Sequence, residues 1–161
     1  MASSTYLLLA AFLIGIIAGL RSLTAPAVTC WSVRFGWISL RGTPLAFLGS
    51  WIAVAVFTIL AIVEYITDKL PSTPPRTAPV GLGARIALGA LSGAALTAAK
   101  GHDLAIGALL GALGGIVGAF VGYQVRTRVV KALAARDFNV AVAEDAVAIL
   151  GALAIISHLK P

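Results

Sequence analysis

The sequence predicts an all-α membrane protein, a polytopic bundle of about five spans, on three observations. Hydrophobic residues make up 60% of the chain and charged residues 11%, against roughly 25% charged in soluble domains. Charge-free apolar runs recur along its length, and two of them are long enough alone to cross about 30 Å of hydrocarbon at a rise of about 1.5 Å per residue. Glycines recur four residues apart inside those runs, the pattern that lets membrane helices approach closely. With 161 residues there is room for a single transmembrane domain, residues 1–161, and for no separate soluble module.

The first run, Thr5 to Leu20, extends through Arg21 toward Thr24. Pro26 lacks a backbone donor and disfavours helix at Ala25, so the first helix is expected to be broken near Pro26. Arg21 at the edge of a span costs about 3 kcal/mol unless it snorkels or pairs, so it needs a partner or a wet cavity. With no Lys or Arg before Arg21 there is no basic n-region, and the segment reads as a retained helix, not a signal peptide. Residues 29–41 set Trp31, Phe35 and Trp37 among Arg34 and Arg41, an interfacial aromatic belt.

The second run, Gly42 to Val63, ends on Glu64 and Asp68, which share a helical face at i, i+4. They lie at the C-terminal end of a helix, where the dipole opposes carboxylates. Something else must stabilise them. The next runs are Ile86 to Ala99 and Leu104 to Val125, and the last, Ala146 to Ser157, must begin earlier, near Val140, with Asp137 or Asn139 as N-cap. Glu144 and Asp145 then fall in its first two turns, on the favourable end of the dipole. The glycine rows Gly107/Gly111/Gly115, Gly114/Gly118/Gly122, Gly15/Gly19 and Gly89/Gly93 indicate tight packing, within the protomer or in a homo-oligomer formed through these faces.

Lys and Arg concentrate in the second and fourth connections, which puts those connections and the N-terminus in the cytoplasm and the C-terminus outside. The segment Gly15-Ile-Ile-Ala-Gly19-Leu-Arg21-Ser22 parallels Gly118-Ala-Phe-Val-Gly122-Tyr-Gln-Val-Arg126-Thr127. This is either a weak inverted repeat of the transporter kind or a chance match in glycine-rich sequence.

Net charge +6, from twelve basic and six acidic residues, fits basic side chains beside anionic lipid headgroups. Nucleic acid is not an expected partner, because no dense basic run carries aromatics on a polar surface. Cys30 is the single cysteine and His102 and His158 the only histidines, so neither a disulfide nor a metal site is expected, nor any cofactor. Without a Ser/Lys or Ser/His dyad at recognisable spacing, the chain is not expected to be an enzyme.

The residues with material for chemistry are Arg21, Glu64, Asp68, Arg76, Arg126, Glu144 and Asp145, with Lys69 as a further cation. Ionisable groups at membrane depth are candidates for ion or solute binding by default. The competing reading is a structural ion-pair lock at helix ends. The motifs GLRSLTAPA (19–27), E-x3-DKLPSTPPRT (64–77), GYQVRTR (122–128) and AEDAVAI (143–149) together resemble a small bacterial integral-membrane family known only as a domain of unknown function. The resemblance implies a multi-pass protein of the bacterial inner membrane and transfers no mechanism. The expected function is a small transporter or channel-like protein for an ion or small charged solute. The alternative is a non-transporting scaffold or lipid-binding protein.

Overall fold

The computed structural model describes residues 4–69, 77–133 and 137–160, and these are all helix, turn and connection without a strand. The helices are α1 (Ser4–Leu20), α2 (Thr24–Arg34), α3 (Trp51–Thr67), α4 (Pro79–Ala98), α5 (Leu104–Leu133) and α6 (Asp137–Ser157), with a 3-10 turn at Ala46–Gly49 before α3. By length and composition α4, α5 and α6 can cross a membrane, while α1 and α3 are shorter apolar helices. Local chemistry sets several ends. Ser50 caps α3 by accepting from the Ala53 N–H at 3.1 Å. Pro79 occupies the first position of α4, where its missing donor costs nothing.

Glycine builds the centre of the bundle. Gly15 of α1 lies against the Gly111 backbone of α5, and Gly19 lies against Gly115 and Gly118. On the other side of α5, Gly89 and Gly93 of α4 face Gly111 and Gly107. A methyl group at Gly15, Gly93 or Gly111 would overlap a neighbouring carbonyl, so only glycine permits these backbone contacts. These glycines therefore pack the protomer internally.

Residue pairings fix the helix directions. Gly15 with Gly111 and Gly19 with Gly115 make α1 and α5 parallel. The two segments matched by sequence thus run the same way, and the inverted repeat is not present. Tyr6 donates its hydroxyl to the Ile155 carbonyl at 3.0 Å, and its ring lies 5.9 Å from His158, so the start of α1 and the end of α6 share one end of the bundle. This corrects the expectation that the termini lie on opposite sides.

The reason is the turn after α1. Thr24 meets Tyr65, and Trp31 Nε1 donates to Thr58 Oγ1 at 3.1 Å, making α2 antiparallel to α3. At the far end of α2, Lys160 sits 3.7 Å over the Trp37 ring, back beside the end of α6. The first helix is therefore not a broken span. It is a helical hairpin that reverses at Arg21–Leu23, and Pro26 falls in the first turn of α2, where it is compatible with helix. The interruption expected at Leu23 to Pro26 lies at Arg21–Leu23, ahead of the proline, because the reversal is made by tertiary contacts. The aromatics cluster: Trp31 stacks on Phe35 at 5.2 Å and meets Trp51 edge-on at 6.1 Å, at the same end as the chain termini.

Candidate functional site

The hairpin turn is the centre of the polar structure. Its N–H groups at the start of α2 have no local side-chain cap. Glu64, from the last turns of α3, supplies one from a distance: Oε1 accepts from the Ser22 N–H at 2.8 Å and the Ser22 hydroxyl at 2.7 Å, and Oε2 accepts from the Leu23 N–H at 2.9 Å. The carboxylate that the dipole of its own helix opposes is thus held by the positive end of another. The next residues along, Thr24 and Tyr65, share a hydroxyl hydrogen bond of 2.7 Å.

Arg21, fully buried, occupies the turn itself. Its Nη1 pairs closely with Asp68 Oδ2, and its Nε lies 2.7 Å from Asp145 Oδ1. Arg21 Nη2 has no hydrogen-bond partner among the described residues. Each carboxylate has a second cation. Arg126 Nη1 of α5 donates to Asp68 Oδ2 at 3.0 Å and lies 3.6 Å from Glu144, while Lys69 Nζ donates to Asp145 Oδ2 at 2.6 Å. Arg85 of α4, 6% exposed, donates to the Gly19 and Gly81 carbonyls at 3.1 and 3.0 Å and has its Nη2 3.8 Å from Glu64.

Four guanidinium or ammonium groups (Arg21, Lys69, Arg85, Arg126) thus face four carboxylates (Glu64, Asp68, Glu144, Asp145). Equal numbers of opposite charge, each within reach of a partner, hold the desolvation cost of the cluster down. From Trp51 to Glu64 the helical rise amounts to about 20 Å, which separates the cluster from the aromatic end of the bundle.

Six of the seven site residues expected from sequence converge here: Arg21, Glu64, Asp68, Arg126, Glu144 and Asp145. The seventh, Arg76, lies outside the described residues. Sequence reasoning missed Arg85 and Ser22. Arg85 carried a usable signal, since it precedes Gly89 and Gly93 by one and two steps of four and so shares their inward face. Ser22 had none, because its partner is 42 residues away. Among the described residues no group of His, Cys, Asp and Glu is arranged to hold a metal.

The family described as Domain of unknown function (DUF4126) matches residues 8–158. The chain belongs to that family. The DUF4126 match runs from α1 to just beyond α6, so all eight charged groups of the cluster fall inside it. No curated protein and no solved structure matches the chain. Membership of DUF4126 bears out the resemblance read from the sequence motifs and brings no activity with it.

Proposed function

We propose that the protein is a small membrane carrier or channel-like protein whose exchange site is the ion-pair cluster at the α1–α2 turn. The observation that carries this reading is Arg21: a guanidinium with no solvent exposure, paired to carboxylates at the end of α3 and in α6, with Nη2 left without a hydrogen bond among the described residues. A buried donor without an acceptor is a place where a water or an exchanging group belongs. The cluster is neutral at rest, so uptake of a proton or cation at Asp68, Glu144 or Asp145 leaves an unbalanced positive charge in a low-dielectric setting. Release of another cation, or entry of an anion against Arg21 or Arg126, removes the imbalance. Coupled exchange follows from that arithmetic.

Orientation follows from charge. Among the described residues Arg21, Lys69, Arg85, Arg126, Arg128 and Lys131 lie at the cluster end, against Arg34, Arg41, Lys100 and Lys160 at the aromatic end. The positive-inside rule puts the cluster end in the cytoplasm and both termini outside. The bacterial inner membrane is the compartment this orientation suits.

Reconstitution into vesicles tests the proposal. Protein-containing vesicles, loaded with a pH-sensitive dye and given imposed proton, sodium or potassium gradients, are expected to dissipate at least one gradient faster than empty vesicles. Equal rates for all three ions, and for chloride, would remove the carrier reading. The competing reading, a structural lock, is favoured by the equality of charges, and it predicts that equality of rates.

A further inference from the structure

At the end of the bundle opposite the cluster, a groove of about 530 Å³ is lined by Arg34, Ser39, Arg41 and Ser50 together with apolar and glycine positions of the α2–α3 connection. We propose that this groove is a binding site for a phosphate-bearing anion, distinct from the cluster and on the opposite face of the membrane.

Three features argue for an anion. Two arginines, Arg34 and Arg41, are among the residues lining the groove, and the lining contains no acidic residue. Among the described side chains, the carboxylates are placed elsewhere: four belong to the cluster, and Asp103 caps the start of α5 through the Ala105 N–H at 2.7 Å. Ser50, also in the lining, is the N-cap of α3, so the positive end of that helix adds to the field of the arginines. The size fits a small ligand, within the roughly 300–1,000 Å³ of such sites.

The chemistry favours phosphate. Arg34, one of the lining residues, has its guanidinium carbon 4.4 Å over the Trp51 ring, a contact that limits its motion. A planar fork of this kind matches the oxygens of a phosphate group. Trp31, Trp51 and Phe35 pack together beside Arg34, and such aromatics favour headgroup level. Two sources supply this chemistry, a free phosphate solute and the headgroup of an anionic lipid.

The experiment separates them. Protein purified in neutral detergent is titrated with inorganic phosphate by calorimetry, and its retention of phosphatidylglycerol over phosphatidylcholine is measured by native mass spectrometry. Binding of inorganic phosphate identifies a solute site, and selective retention of phosphatidylglycerol alone identifies a headgroup site. In either case Arg41→Gln, in an exposed connection, should weaken binding about tenfold, the loss of one charge-assisted contact. Lys100→Gln, at the same end but outside the groove, should leave it unchanged. The proposal is overturned if neither probe binds, if Arg41→Gln binds like wild type, or if Lys100→Gln weakens binding equally.

Discussion

Ser22 gives both of its donors, the backbone N–H at 2.8 Å and the hydroxyl at 2.7 Å, to the same oxygen of Glu64. The hairpin turn and the end of α3 are thereby fastened at one carboxylate. Glu64→Ala removes the acceptor for three donors and the external cap of α2, a loss of about 3 kcal/mol. Ser22→Ala removes one hydroxyl bond and costs about 1 kcal/mol. Thermal unfolding followed by size-exclusion chromatography in detergent should rank Glu64→Ala well below Ser22→Ala. The reverse order would mean that the carboxylate does not hold the turn.

Arg21 and Arg126 meet on Asp68, so neither substitution leaves that carboxylate without a cation. Arg21→Met should therefore cost about 3 kcal/mol, the low end of the range for breaking a buried pair. Adding Asp145→Asn to Arg21→Met should restore part of the loss, because the two side chains are in contact and their effects do not add. Strict additivity of the two midpoint shifts would show that the pair is not formed.

Glycines divide sharply by surroundings. Gly111→Ala would drive a methyl into the Gly89 carbonyl and should destabilise the bundle by about 3 kcal/mol or prevent folding. Gly83, in α4, has open space at its Cβ position, and Gly83→Ala should stabilise by about 0.5–1 kcal/mol through helix propensity alone. Melting temperatures in detergent check both signs.

The hairpin brings the start of α1 and the end of α6 to one end of the bundle. Single cysteines at Ser4 and Lys160 should label from one side of sealed vesicles and one at Lys131 from the other, while buried Cys30 stays silent. Opposite-side labelling of Ser4 and Lys160 would contradict the α1–α6 pairing.

Much of this was legible in the sequence. Apolar runs and scarce charge marked the helices, because a membrane chain must carry its backbone bonds within each segment. The convergence of Glu64, Asp68, Arg126, Glu144 and Asp145 was also legible, since a chain with six carboxylates leaves few ways to neutralise them. The reversal at Arg21–Leu23 was not. It depends on Glu64 capping α2 at sequence separations of 41 and 42 residues, and no local signal encodes a cap delivered from another helix. With the hairpin missed, the direction of every later helix relative to the N-terminus was reversed. The inverted repeat failed for the same reason.

The central claim, that the cluster around Arg21 is an exchange site and not only a lock, is tested most directly by the initial rate of ion flux through Asp145→Asn in vesicles. Rates are compared with wild type at equal incorporated protein, with particle size and melting temperature measured alongside. The account predicts a folded, correctly sized variant whose rate falls at least about tenfold, as expected for loss of an essential proton-transferring or charge-balancing group. A wild-type rate left unchanged in Asp145→Asn, or no flux above empty vesicles in either protein, would contradict it.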